Sequence, residues 1–167
     1  MGSNEKVQIY VTGGTFDKDY NFITGKLYFR DTHLLDMLER GRCTISLDIK
    51  TLMMIDSLDM GQEEREIIAY QCNRCDYDNI VITHGTDTMA ETALYLEKNL
   101  KAPKTVVLTG AMIPYAFGTS SDGFFNMGSA LAFAQVLEPG VYIAMNGRYF
   151  RAGEVKKNTS TGYFQGR

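Results

Sequence analysis

Five short apolar runs, four of them trailed by stretches of helical periodicity, constrain this chain more than any other feature. They lie at residues 7–12 (VQIYVT), within 44–55, and at 79–83 (NIVIT), 105–109 (TVVLT) and 141–146 (VYIAMN). Runs this short and this rich in Val and Ile read as strands covered on both faces. Helices are predicted between them. One is capped by Asp31, carries Leu34, Leu35 and Leu38 on one face, and stops at Gly41. Others cover about 62–75, with Glu63, Glu64 and Glu66 in the first turn, then 88–100 and 122–137. Strands separated by helices need crossovers, and crossovers make parallel neighbours. The expectation is a doubly wound α/β fold: a mainly parallel sheet with helices on both faces. At 167 residues this should be a single domain, spanning 1–167. The stretches 13–30 and 147–167 carry no clear period.

Composition removes several classes of function. Net charge is −3 with no basic block, so no nucleic-acid partner is expected. No apolar run approaches membrane-spanning length, so no membrane partner is expected. Residues 1–6 are polar and lead straight into a strand, so no signal peptide is read and the expected location is cytoplasmic. Three cysteines do not build a disulfide framework. Cys72 and Cys75 form a C-x-x-C, but it ends a helix where a redox pair would open one, and it reads as packing. His33 and His84 lack zinc spacing, so no metal is expected. There is no G-x-G-x-x-G, no phosphate loop and no G-x-S-x-G elbow, hence no expected cofactor and no usual α/β-hydrolase site. His84 reads as a loop-fixing residue rather than a base.

In open parallel sheets ligands bind beyond the carboxyl ends of the strands. The segments there are GGTFD, DSLDM, HGTDT and GAMIP. Two of them pair glycine with hydroxyls: Thr12-Gly13-Gly14-Thr15 and Gly85-Thr86-Asp87-Thr88. Glycine lets backbone N–H groups approach a ligand, and a helix N-terminus adds positive potential. Such donors suit an oxyanion or a carboxylate. Simple helix capping accounts for Asp87 or Thr88 equally well, so pattern alone leaves both readings open.

TGGTF at 12–16 and ITHGTDTMAETA at 82–93 resemble the two signature segments of the bacterial-type L-asparaginases, the asparaginase/glutaminase family. The likeness continues through SLDM at 57–60, GAMIP at 110–114, SDGFFN at 121–126 and EVKK at 154–157, in the family's order. The resemblance implies hydrolysis of the side-chain amide of L-asparagine, or a related ω-amide, through a threonine acyl-enzyme with release of ammonia. It implies Thr15 as nucleophile, with Thr86, Asp87 and Lys157 as the second threonine and its acidic and basic supports. Lys156 competes for the basic role. Ser57 and Asp87 would hold the substrate's carboxylate and ammonium, and Gly14, Gly85 and Ala111 would line the site. An alcohol is a poor nucleophile and needs such a proton acceptor nearby.

Three departures stand out. Family members are usually about twice as long, so the expectation is an asparaginase-like N-terminal domain without the smaller C-terminal one. Phe22 stands where the family's mobile loop carries a tyrosine, with Tyr20 and Tyr28 as nearby substitutes. Leu58 stands where an amide side chain is common, which removes a hydrogen bond to a substrate carboxylate. These departures keep two alternatives open: a domain that binds aspartate or asparagine without turnover, and an ammonia-supplying subunit of a larger complex. Absence of a second domain exposes surface, so a homo-oligomer is expected.

Overall fold

The computed structural model describes residues 6–167. Six strands form the main sheet. They are β1 (Val7–Gly13), β4 (Leu47–Ile55), β5 (Asn79–Thr83), β6 (Thr105–Thr109), β7 (Gly140–Met145) and β8 (Arg148–Arg151), in the order β4-β1-β5-β6-β7-β8. The first five run parallel, and β8 returns antiparallel to β7. Two antiparallel ribbons stand outside the sheet: β2 (Lys18–Asn21) with β3 (Lys26–Phe29), and β9 (Val155–Lys157) with β10 (Phe164–Gly166).

Helices α1 (Leu34–Arg40) and α4 (Gly123–Val136) cover one face; α2 (Gln62–Arg74) and α3 (Met89–Asn99) cover the other. The side chains divide accordingly. Ile9, Val11, Val81 and Val107 pack with Leu34, Met37, Met127 and Leu131. Tyr10, Ile80, Ile82, Val106 and Leu108 pack with Ile68, Cys72, Met89 and Leu96. Alternate residues of one strand therefore serve opposite layers, as the pleat requires. The doubly wound, mainly parallel α/β fold read from the periodicity is the fold observed.

The direction of winding reverses at β1. The connection from β1 leads outward to β4, while β5 lies on its other side. The loops after β1 and β5 therefore sit at a topological switch point, where such sheets leave a crevice.

Two local expectations for α1, its Asp31 cap and the burial of Leu35, are corrected. Asp31 is exposed and does not cap it. The Leu34 N–H instead donates to Thr32 Oγ1 (3.2 Å), and the His33 N–H to the buried Asp17 Oδ1 (2.8 Å). Leu35 is exposed and Met37 buried, so the inward stripe is Leu34 and Met37, with Leu38 partly buried against the same core as expected. The helix stops at Gly41 as expected, and the left-handed residue is the next one, Arg42 (φ 51°). The two unassigned stretches prove to be ribbons. β7 turns into β8 through Asn146 and Gly147, with φ of 59° and 74°. Two positive φ values in a two-residue connection are what Asn-Gly favours.

Cys72 is buried, and burial pushes its thiol up to about 12; Cys43, Cys72 and Cys75 are all free. That bears out packing for the C-x-x-C.

Candidate active site

Backbone, more than side chains, brings the loops together. A Cβ on Gly14 would lie 2.4 Å from the Gly85 nitrogen, and one on Gly85 would lie 2.5 Å from Ser57 Oγ. A Cβ on Gly110 would fall 2.3 Å from the His84 carbonyl oxygen. The ends of β1, β4, β5 and β6 thus meet at contact distance, which only glycine permits. Gly14 also has φ 77°, a left-handed conformation costly for other residues. Its N–H donates to the Ile55 carbonyl (2.9 Å), which stitches the loop after β1 to the end of β4.

Thr15 opens a short 3₁₀ turn right after Gly14 and is half-buried. Thr86 is 6% exposed. Lys157, arriving on β9, donates to Thr86 Oγ1 at 2.8 Å and to Asp87 Oδ1 at 2.7 Å. These residues are some seventy positions apart, and the ribbon delivers the lysine with 14% of its side chain exposed. Lys156 is exposed and faces away, because neighbours on a strand point to opposite sides. The Thr86 hydroxyl donates to the Met112 sulfur at 3.5 Å.

Ser57 is buried to 1% exposure in the turn after β4. Its hydroxyl oxygen accepts from the Thr88 N–H (3.4 Å), and its carbonyl from the Thr88 hydroxyl (2.8 Å). Thr88 thus ties two loops together instead of capping α3 with its side chain. Asp87 makes no cap either; it holds Lys157. The Ala111 side chain is fully buried in the core with Phe16 and Val107, while Met112 makes the contact with Thr86.

His84 is a structural residue, as read. It is fully buried between the Gly85 carbonyl (2.7 Å from Nδ1) and Thr92 Oγ1 (2.8 Å from Nε2). The carbonyl accepts only, so Nδ1 carries the proton and Nε2 accepts from Thr92. Thr92 in turn accepts from Arg65 Nε at 3.0 Å. Desolvation holds the imidazole down to about 4, well below its ordinary 6.5.

Several supports were given no role from the sequence. Asp122 accepts from the N–H groups of Met112 and Ile113 (both 3.0 Å) and from Asn126 Nδ2 (3.1 Å). Asn126 also donates to the Gly110 carbonyl (2.9 Å) and accepts from the Asn146 N–H (3.2 Å). Lys18 forms an ion pair with Asp56 at 2.5 Å. Lys18 and Asp56 are 38 residues apart, so spacing could not announce the pair. The departures lie at the periphery. Phe22 is 84% exposed at the tip of the β2–β3 ribbon, Leu58 is 71% exposed, and the Tyr20 ring packs edge-on against Phe117 at 6.1 Å. Among the described residues no group of His, Cys, Asp and Glu could hold a metal ion.

Comparison with known proteins agrees with this arrangement. A probable periplasmic L-asparaginase of Haemophilus influenzae is 40% identical, over 93% of this chain and 47% of that protein. L-asparaginase 2 of Escherichia coli is 32% identical over 93% of this chain and 47% of its own length. Among solved structures, the thermostable L-asparaginase of Thermococcus kodakarensis superimposes with a TM-score of 0.84 at 30% identity, covering 96% of this chain and 51% of that one. A probable cytoplasmic L-asparaginase of Campylobacter jejuni gives 0.84 at 29% identity, over 98% and 53%. The chain spans about half the length of the curated relatives it matches. The family model described as "Asparaginase, N-terminal" matches residues 6–165, and the chain belongs to the asparaginase family.

Proposed function

We propose that this chain is an amidohydrolase that cleaves the side-chain amide of L-asparagine, or a related ω-amide, and releases ammonia. The observation that carries the reading is Lys157 Nζ, seated between Thr86 Oγ1 and Asp87 Oδ1 at the switch point of the sheet. In this reading Thr15 Oγ attacks the amide carbon, and its proton passes to the leaving nitrogen, so that ammonia departs and a threonyl ester remains. Water then attacks the ester, giving the free acid and restoring Thr15. Thr86 and Lys157 accept and return protons, the neutral amine being the form that can take one. Backbone N–H groups of the loop at Gly85 support the negative charge that develops on the carbonyl oxygen, the Gly14 N–H being committed to the Ile55 carbonyl. Asp87, 44% exposed beside Lys157, has a free carboxylate edge for a substrate ammonium, and Ser57 a hydroxyl for its carboxylate. Gly14, Gly85 and the loop bearing Ala111 form the walls.

Ammonia release from asparagine, glutamine and simple amides tests this, with Thr15→Ala and Thr86→Ala as controls. Activity in the wild type that falls at least a hundredfold in both variants supports it. Equal background rates in all three proteins would end it.

Two further features belong to the same reading. α4 is apolar nearly all round, and Phe124, Phe125 and Val136 remain exposed on it. A helix of that character belongs in an interface, so the protein is a homo-oligomer; a single monomeric species in ultracentrifugation contradicts this. Three free thiols fit a reducing compartment, so the protein works in the cytoplasm; recovery in a periplasmic or secreted fraction contradicts that.

A further inference from the structure

The walls of the site leave one charged group without a task in the reaction. Lys18 follows Thr15 by three residues, at the start of β2. Its ammonium pairs with Asp56, the residue immediately before Ser57, and lies 5.4 Å from the centre of the Phe29 ring. Only 16% of the side chain is exposed, so this is an enclosed cation rather than a solvated surface lysine.

The cations around this corner can be told apart by their commitments. Lys157 is engaged by Thr86 and Asp87. Arg65 is engaged by Thr92 and Glu91. Lys18 has three N–H donors, and Asp56 takes one. Asp56 itself is turned toward the Ser57 turn, where it accepts from the Leu58 N–H at 3.1 Å. Its carboxyl lies below the ordinary carboxylate range, held there first by Lys18, then by the Leu58 N–H, with a smaller pull from Lys157. Ser57, next to Asp56, touches Gly85, next to Thr86, so the Lys18–Asp56 pair and the Lys157–Thr86–Asp87 group belong to adjoining loops. Lys18 and Lys157 balance Asp56 and Asp87, so the charges match those of a zwitterion. Its ammonium has Asp87 to face. Its carboxylate, on the Ser57 side, meets a neutral hydroxyl and the exposed, apolar Leu58. A hydroxyl alone is a weak hold for a carboxylate, and charge-assisted bonds are roughly twice as strong as neutral ones.

We propose that Lys18, reaching across the Asp56–Ser57 corner, supplies the positive charge that holds the α-carboxylate of the bound amino acid, and so sets a preference for amino-acid amides over simple amides. The inference rests on the amidohydrolase reading for its substrate class, but it is testable by binding alone.

The experiment compares ligands that differ only in the α-carboxylate. L-Aspartate and β-alanine form one such pair and are titrated by NMR; L-asparagine and 3-aminopropanamide form another and are followed by ammonia release. The proteins are wild type, Lys18→Met and Asp56→Asn, all as the full chain. Lys18→Met is expected to weaken aspartate binding, and to raise the KM for asparagine, by roughly tenfold to a hundredfold. β-Alanine and 3-aminopropanamide are expected to be unaffected. Asp56→Asn keeps an acceptor for the Leu58 N–H while freeing Lys18, and is expected to bind aspartate at least as tightly as wild type. A fall of equal size for both members of each pair would show a merely structural lysine and overturn the proposal. So would loosening of aspartate in Asp56→Asn, because that variant breaks the ion pair while keeping the cation. A wild type that binds aspartate through Lys18 yet releases no ammonia would sink the amidohydrolase reading and leave this one standing.

Discussion

Acidification should unfold this protein along a path that His84 largely sets. The imidazole is fully buried, and its burial holds it neutral down to about pH 4, against 6.5 for an exposed histidine. The sign follows from linkage. Between those values the unfolded chain binds the proton and the native chain does not, so stability falls as pH falls. The contribution is intact above about pH 6.5, declines through the interval, and is fully lost below about 4. A shift of this size is worth roughly 3 kcal/mol in total. Between pH 7 and pH 5 it amounts to roughly 2 kcal/mol, or a melting temperature lower by about 4–8 °C in a chain of this size. Asp17 works in the opposite direction, because burial raises its carboxyl and eases its folding cost in acid. Asp48 and Asp56 sit below their ordinary range, so their losses come at lower pH. The comparison that isolates His84 is therefore the difference in slope between wild type and His84→Gln. Urea unfolding at half-unit steps from pH 7.5 to 4.5 would give both curves. The variant should be less stable at pH 7, having lost the bridge between Gly85 and Thr92, yet flatter below it. Parallel curves for the two proteins would refute the assignment of the acid response to His84.

Other outcomes follow from single contacts. Gly14→Ala should cost about 3 kcal/mol or more, since its Cβ must move away from the Gly85 backbone at a left-handed φ; a urea midpoint within error of wild type would contradict the contact. Asp122→Ala removes the acceptor for two backbone N–H groups and Asn126, and should cost about 2–4 kcal/mol, read as a melting temperature lower by roughly 5–15 °C. Lys157→Met should lower kcat by a hundredfold or more while changing the melting temperature little, because Asp87 remains half solvated. Steady-state ammonia assays beside a thermal melt separate these two effects.

Sequence carried the fold well because its signals were local and redundant. β5 and β6 fall at the predicted residues, since Ile80–Ile82 and Val106–Leu108 must be buried on both sides whatever surrounds them. The β2–β3 ribbon was not legible, because its strands are only four residues long and largely exposed. β8 could have been found: Asn146-Gly147 between VYIAM and RYFR is a strong hairpin signal. The cap of α1 failed for a different reason. Its acceptor, Asp17, lies sixteen residues away from His33, and propensity sees only neighbours. At the candidate site, the glycine–threonine clusters flagged two loops that the structure brings together, but not how closely they touch. Thr88 and Asp87 looked like caps, and only tertiary placement shows them bonded to Ser57 and Lys157. The Lys18–Asp56 pair has no local signature at all.

The lysine that completes the Thr86–Asp87 group does not belong to the sheet. It rides on a detached two-stranded ribbon, moored by Val155 and Phe164 where they sink into the layer beneath α3. The loops of the main sheet carry Thr15, Ser57, Thr86 and Asp87, and only the basic partner comes from the ribbon. Five parallel strands and their helices can endure a changed ribbon, and a ribbon can be retuned without disturbing the strands. If the proposed role of Lys157 holds, small edits to this ribbon change the chemistry long before the architecture registers them.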